Sequence, residues 1–398
     1  MLISENISNF YPDPLGRSTG AIYIHIPFCK QACHYCDFHF STSIKKKDEM
    51  ILALAKEIKL RKSEFENDPE FSGVETIYFG GGTPSRLQIT DLRFLIDEVF
   101  RNYKVAENPE ITLEANPDDL TEEYLIDLKK VGINRLSIGI QSFFEDDLVM
   151  MNRAHNAAEA KKCLEIAKRY FNNISIDLIY GIPGMSKKKW RQNIQTALSF
   201  QVPHISSYAL VVEPKTALIK FIAQGKIAAP NDELTACHYH ILVTALEKSG
   251  YIHYELSSFG KENYFSKNNT AYWLGKKYIG IGPSAHSYNG ISRTWNIANN
   301  TLYIKSILLG KLPFEIENLS VNDLYNEFIM IGLRTMWGVS LVHIKTEFGT
   351  NFLINLEKQA QKFIDDKLLF VENNILKPTA KGKFLCDGIA SDLFLVNN

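Results

Sequence analysis

Cys29, Cys33 and Cys36 stand at C-x-x-x-C-x-x-C spacing directly after the apolar run Ala21–Phe28. Three thiolates on one short loop can hold three corners of an iron–sulfur cube. The fourth iron then lacks a protein ligand, and a small molecule can bind it and receive an electron from it. The same loop also admits a zinc site with His25, His34 or His39 as the fourth ligand, although structural zinc favours paired C-x-x-C or C-x-x-H spacings and a closed set of four. Unligated thiols are a third reading, and the loop alone does not choose among them.

Regular elements must bring the rest of any such site to this loop. Alternation and β-branched residues predict a strand over Ala21–Pro27. Apolar Ile51, Leu52, Leu54 and Ile58 recur at helical spacing and predict a helix over Lys45–Leu60. Further strands are expected at Glu75–Phe79, Glu110–Ala115, Arg135–Ile140, Ile174–Tyr180 and His204–Val211. Helices are expected between them at Leu92–Phe100, Thr121–Val131, Asp146–Met151, Ala157–Tyr170 and Lys187–Phe200. Thr121 suits a helix N-cap and Gly132 a stop. Six strands alternating with helices imply a parallel sheet with right-handed crossovers. The fold class expected is therefore α/β, a partial (β/α)6 barrel.

Chemistry in such barrels gathers at the C-terminal ends of the strands. The cysteine loop follows the first strand and Gly80-Gly81-Gly82-Thr83-Pro84 the second. Glu114 lies near the end of the third, Gln141 just past the fourth and Asp177 within the fifth. That register is hard to attribute to core packing. Missing side chains at the glycines let a ligand approach the main chain, although a tight turn needs them equally. Glu and Asp accept hydrogen bonds from ammonium or hydroxyl groups, Gln does either, and an Arg fork such as Arg153 suits a carboxylate. Each of these residues also has a plain reading, as a solvated strand end or a surface helix residue.

The pattern changes at Asp232. A helix over Asp232–Lys248, strands at Tyr251–Phe259 and Lys277–Ile281, and a helix over Thr301–Leu309 read as an α/β extension of the barrel. Helices at Asn322–Arg334, Leu341–Phe348 and Asn351–Asp366 precede a hairpin of Leu368–Val371 and Ile375–Pro378 and a final helix. Three helices and a hairpin predict a mainly helical, winged-helix-like end. The expected division is an irregular arm at 1–20, the barrel at 21–231, the extension at 232–310 and the helical domain at 311–398.

Composition narrows the function classes. The chain has 398 residues, 45% of them hydrophobic, enough for a sizeable core. A net charge of −1 and the lack of a basic stripe argue against nucleic acid as a partner. No apolar run approaches the ~18 residues that span a bilayer. No basic segment followed by an apolar core opens the chain, so no signal peptide is expected. Six cysteines are too few for a disulfide framework and fit a reducing cytoplasm. A homodimer is compatible with all of this.

The cysteine spacing, with Tyr35 before the third cysteine, resembles the signature of radical S-adenosylmethionine (SAM) proteins. Tyr23-Ile24-His25-Ile26-Pro27-Phe28-Cys29, continued by Cys33, Tyr35-Cys36 and Asp37-Phe38, is similar to the oxygen-independent coproporphyrinogen III oxidase family and, within it, to the radical SAM haem chaperones. The resemblance runs from about Tyr23 to Thr335 and continues more loosely to the end. It implies a 4Fe–4S cluster on Cys29, Cys33 and Cys36, with SAM chelating the open iron. It also implies SAM contacts at Tyr23, Gly81, Gly82, Thr83, Glu114, Gln141, Arg153 and Asp177. These residues lie in Tyr-Ile-His-Ile-Pro, Gly-Gly-Gly-Thr-Pro, Leu-Glu-Ala-Asn-Pro, Gly-Ile-Gln-Ser-Phe, Met-Asn-Arg-Ala-His and Ile-Asp-Leu-Ile-Tyr-Gly-Ile-Pro segments.

The function so implied is haem binding and transfer of haem to acceptor proteins. The alternative within the family is oxidative decarboxylation of coproporphyrinogen III to protoporphyrinogen IX in porphyrin biosynthesis. An alternative of another class is a zinc-stapled interaction protein. The decarboxylating enzyme carries another cysteine two residues past the third, where this chain has Phe38, and a longer N-terminal extension. One departure from the chaperone branch stands out. Its His-Asn-x-x-Tyr-Trp motif, whose histidine is tied to haem binding, reads Asn268-Asn269-Thr270-Ala271-Tyr272-Trp273 here. An amide is a poor haem-iron ligand beside imidazole. If haem binds, either another side chain ligates it, with His253 and His286, which flank the motif, as candidates, or the porphyrin is held mainly by contacts and covalent attachment.

Overall fold

The computed structural model describes residues 18–66 and 71–396. Residues 1–17 of the expected arm lie outside the described residues, and residues 18–20 open the first strand instead. β1 (Ser18–Ile26), β2 (Phe71–Gly81), β3 (Val105–Ala115), β4 (Arg135–Gln141), β5 (Ile174–Tyr180) and β6 (His204–Ala209) lie side by side in that order, all parallel. Their apolar runs reflect burial on both faces, as parallel sheets require. β4 is buried along its whole length, and in β5 only Asp177 is partly open.

Crossover helices such as Ile89–Asn102, Ala157–Tyr170 and Lys187–Ser199 press Leu95, Leu164 and Trp190 into one core with the strands. Their starts are set by caps. Asn156 accepts from Ala158 and Glu159 N–H, and Ser186 accepts from Lys189 N–H.

The sheet continues past both ends of the six strands. The predicted strand Tyr251–Phe259 is a hairpin, β7 (Ile252–Glu255) and β8 (Ser258–Gly260), because the Glu255 carboxylate accepts the Ser257 N–H at 3.0 Å and turns the chain. β8 pairs antiparallel with β6. On the other side β9 (Lys277–Ile281) joins β1 in parallel, followed by β10 (His286–Tyr288), β11 (Ser292–Asn296) and β12 (Phe314–Asn318) in antiparallel order. β10 to β12 and a short helix, Lys267–Trp273, carry no periodic apolar signal and were not expected from the sequence.

Helix Lys47–Leu60 is fastened to this extension by a buried polar node. Glu57 is fully buried. It accepts from Gly282 N–H at 2.8 Å, Asn296 Nδ2 at 2.7 Å and Tyr303 Oη at 2.5 Å. Arg61, one turn on, donates to Gly280 O at 2.7 Å, Ser287 Oγ at 3.0 Å and Glu64 at 2.6 Å.

A second core gathers Tyr325, Ile329, Leu333, Ile344, Leu356, Leu376 and Ile389. It belongs to the helices Val321–Arg334, Thr350–Asp365 and Cys386–Asp392 and a small sheet of β13 (Val339–Ser340), β14 (Leu369–Glu372) and β15 (Ile375–Pro378), with β15 central. The architecture is thus a partial parallel barrel with an antiparallel extension and a mainly helical C-terminal region.

Candidate cluster and cofactor site in the barrel mouth

The loop after β1 carries Cys29, Cys33 and Cys36, all three free thiols and all partly exposed. Its backbone is pinned on several sides. Cys29 N–H donates to Ser41 O at 3.0 Å, and His34 N–H donates to Met151 O at 3.1 Å. Asn152, at φ +56°, donates from Nδ2 to Ala32 O at 2.7 Å and accepts from Gln31 Nε2 at 2.6 Å. Asparagine is among the few residues that take this left-handed conformation cheaply.

The three cysteines line one cavity of about 420 Å³. Gly81, Gly82 and Thr83 from the end of β2 line it too, together with Glu114, Gln141, Arg153 and Asp177. Ten of the eleven residues singled out from the sequence therefore share one space. Tyr23 is the exception. It does not line the cavity; its ring is stacked on Tyr78 at 6.0 Å and its hydroxyl is 3.2 Å from His25 Nδ1.

Arg153 is more committed than its place on the wall suggests. Its Nη1 donates to Cys33 Sγ at 3.3 Å, and its Nη2 donates to Asn116 Oδ1 at 2.7 Å and to Gly139 O at 2.9 Å. The buried Nε alone lacks a partner. The guanidinium thus locks the cysteine loop to the ends of β3 and β4. Gly139 makes room for it, since a Cβ there would stand 2.9 Å from Gln141 Nε2 and 3.1 Å from Arg153 Nη2. Gly82 packs by its bare Cα against the cysteine loop, where a Cβ would meet Ile26 O and Phe28 N within 2.8 Å. Gly82 thus packs closely on the loop and lines the cavity as well.

Charge in the mouth is poorly solvated. Glu114 accepts from Tyr78 Oη at 2.8 Å and from Gly81 N–H at 3.2 Å. Burial, reinforced by nearby Asp177, raises its carboxyl to about 7. Burial likewise raises Asp177 to about 6. The Cys36 thiol is pushed up by burial to about 12. Cys29 is raised for the same reason, against the Thr83 hydroxyl 3.5 Å from its sulfur. Such groups gain most from an incoming cation: thiols lose their protons to a metal, and carboxylates pair with an ammonium.

The zinc reading does not find its histidine ligand on this wall. His25, His34 and His39 do not line the cavity. His25 Nε2 donates to His39 O at 2.9 Å, His34 Nδ1 donates to Met150 O at 2.8 Å, and His39 Nε2 lies 2.7 Å from Asn300 Oδ1. Among the described residues no three His, Cys, Asp or Glu side chains close on a single-ion site.

Comparison with known proteins agrees with the geometry. The Radical SAM superfamily model matches residues 23–197, and the HemN C-terminal domain model matches residues 319–385. The chain is 36% identical over 368 residues to the Heme chaperone HemW of Bacillus subtilis, covering 91% of this chain and 96% of that protein. It is 31% identical over 386 residues to the Heme chaperone HemW of Mycobacterium tuberculosis, covering 96% of each. The chain belongs to the HemW family of radical SAM proteins.

Its backbone matches the coproporphyrinogen III oxidase HemN of Escherichia coli with a TM-score of 0.81, covering 98% of this chain and 92% of that one. At 22% identity that likeness speaks for the fold alone. The radical SAM superfamily implies a 4Fe–4S cluster and SAM, and the mouth fits both. Three thiols face one cavity that no fourth cysteine and no histidine lines among the described residues, and two poorly solvated carboxylates and a glutamine stand beside them.

Sequence reasoning missed Asn116, Ser137, Phe38 and Tyr208, which also line the cavity. Asn116 sits in the same Glu-Ala-Asn-Pro segment as Glu114, and its place at a strand end was the available signal. The residues around the HemW-family haem motif also fall differently from expectation. Asn268 is 2% exposed and turned toward β2, where Thr76 Oγ1 donates to its Oδ1 at 3.0 Å. The Glu110 carboxylate caps its helix, accepting from Lys267 and Asn268 N–H at 3.0 and 3.3 Å. Asn269, Tyr272 and Trp273 instead line a second cavity of about 600 Å³, which Tyr208 joins to the mouth.

Neither flanking histidine lines that cavity. His253 stacks on Phe259 at 4.2 Å, donates from Nε2 to Leu256 O at 3.2 Å and accepts at Nδ1 from Lys383 Nζ at 3.3 Å. His286 lies flat against Trp295 on exposed β10.

Proposed function

We propose that this chain binds haem and passes it to acceptor proteins, and that it carries a 4Fe–4S cluster with SAM in the barrel mouth. The observation that carries the reading is the gathering of three free thiols on one wall with Glu114, Gln141 and Asp177. When bound, the cluster would supply redox chemistry beside SAM, and Cys29, Cys33 and Cys36 would hold it. Arg153 positions the loop through Cys33, Asn116 and Gly139. Glu114 and Asp177 offer acceptors for the ammonium and ribose hydroxyls of SAM, and Gln141 offers both a donor and an acceptor. Gly81, Gly82 and Thr83 bring main chain to the same space. Tyr23 stacks on Tyr78, whose hydroxyl donates to Glu114.

Haem handling is favoured over decarboxylation by Phe38. This side chain is 68% exposed on the cavity rim, at the position where the decarboxylating enzyme has a cysteine. The curated relatives named as haem chaperones support the same choice. The near-neutral net charge leaves nucleic acid out of the reading. Among the described residues no helix is long and apolar enough to cross a membrane, and six cysteines without a disulfide suit the cytoplasm.

Two measurements test the reading. Titration of the reconstituted protein with haem should produce a saturable Soret shift, and an unchanged haem spectrum would overturn it. Anaerobic incubation of the reduced protein with SAM and coproporphyrinogen III should leave the substrate intact. Formation of protoporphyrinogen IX would move the assignment to the decarboxylating enzyme.

A further inference from the structure

Beyond the second cavity lies a third, of about 690 Å³, between the barrel extension and the C-terminal helices. The two share Trp273, Gly275, Tyr288, Glu327 and Ile331, so they form one continuous cleft that leads back to the mouth through Tyr208. The volume lies within the range of about 300–1,000 Å³ typical of sites that bury organic ligands. Its walls are largely apolar and aromatic, with Trp273 on one side and Phe328 and Phe348 on the other. Trp273 closes the very motif whose first position is Asn268. The aromatic end of the motif thus reaches the cleft although its first residue does not.

His343 stands on this wall. Its ring lies on Phe328 with centroids 4.4 Å apart and meets the edge of Phe348 at 6.1 Å. Among the described residues neither ring nitrogen makes a hydrogen bond, while the main chain is fixed by His343 N–H donating to Ser340 Oγ at 3.2 Å. From Ile344 to Phe348 the helix widens to a π turn, ended by Gly349 at φ +98°. Single π turns recur at functional sites. The exposed ring is thus packed on Phe328 with both nitrogens open to solvent, on the wall of a largely apolar cleft.

We propose that this cleft is the haem site and that His343 supplies the axial iron ligand that position 268 lacks. The inference rests on the haem-binding reading above. Imidazole is a common haem-iron ligand, and the exposed His343 ring is open to an incoming iron. Arg293 and Arg334 line the adjoining part of the cleft, and Arg334 stacks on Trp273 at 5.8 Å. They pair now with Glu327 and Asp387. Guanidinium forks suit the propionates of haem, which can take over those pairings.

The test is haem titration of the cluster-loaded full chain, read by Soret position, electron paramagnetic resonance and affinity, for the wild type, His343→Ala, His343→Gly and the surface control His286→Ala. The expected result is a histidine-ligated spectrum in the wild type and the control. His343→Ala should weaken haem binding at least about tenfold, which is one decade of Kd, and change the spin state. Free imidazole should restore the wild-type spectrum in His343→Gly, a rescue that a purely structural role would not give. Iron–sulfur absorption should be equal in all four. If His343→Ala keeps the wild-type spectrum and affinity, the ligand assignment is overturned and haem binding stands. If the wild type shows no haem spectrum, the functional reading falls and this inference with it.

Discussion

The barrel mouth and the node around Glu57 both place charge inside the fold, and they treat it in opposite ways. At the node each Glu57 oxygen is matched, by Gly282 N–H and Tyr303 Oη on one side and Asn296 Nδ2 on the other, with Arg61 close behind. At the mouth Glu114 has one hydrogen bond on each oxygen, but Asp177 receives only a long contact from Ser137 Oγ at 3.5 Å, three thiols stay free and Arg153 Nε has no partner among the described residues. Satisfied buried charge specifies how elements dock, whereas unsatisfied charge costs free energy until a ligand arrives. The contrast separates scaffold from site without reference to family.

Four measurements break or sharpen it. Cys33→Ala should abolish the broad visible absorption of the reconstituted cluster entirely while changing the stability of the cluster-free protein by about 1 kcal/mol or less. Glu57→Ala should do the reverse. It leaves Arg61 buried without its neighbour and should cost about 3–5 kcal/mol in urea unfolding, with cluster content per folded molecule unchanged. Equal stability losses in the two variants would erase the distinction. Gly139→Ala should fall between them, because a Cβ forces Gln141 and Arg153 aside. It should cost about 1–3 kcal/mol of overpacking and lower the cluster content as the loop loses its anchor.

The smallest effect is a pH dependence. The Glu114 carboxyl sits at about 7 in the fold, above its ordinary value of 4.5, so the folded state holds its proton more tightly than the unfolded chain. Its contribution to the stability of the unliganded protein is therefore present below the ordinary value and is lost as pH rises through 7. SAM, by offering an ammonium, should favour the ionised form. Its affinity for the cluster-loaded protein should rise up to about tenfold from pH 6 to pH 8, and Glu114→Gln should flatten the profile. A profile equally steep in that variant would assign the titration elsewhere.

Much of the barrel was legible from local pattern. Ile174–Tyr180, Ala157–Tyr170 and Asp232–Lys248 begin and end where periodicity and caps placed them. The cysteine spacing and the polar strand ends pointed to one mouth, because parallel crossovers leave all the C-terminal strand ends on one side. The antiparallel extension was less legible. β10 to β12 are short and half-exposed, and the Tyr251–Phe259 pattern could not announce a turn made by the Glu255 side chain.

Residue types, their spacing and their periodicity were thus enough to define the strands, the cluster loop and most of the mouth, since burial of one face writes a repeat into the chain. Tertiary structure alone decided that Tyr23 stacks on Tyr78, that Arg153 turns to Cys33 rather than outward, and that Asn268 is locked against Thr76. It alone brought His343 to the same cleft as Trp273, seventy positions earlier in the chain. Such meetings depend on which elements pack together and how side chains compete for partners, and neither leaves a local repeat.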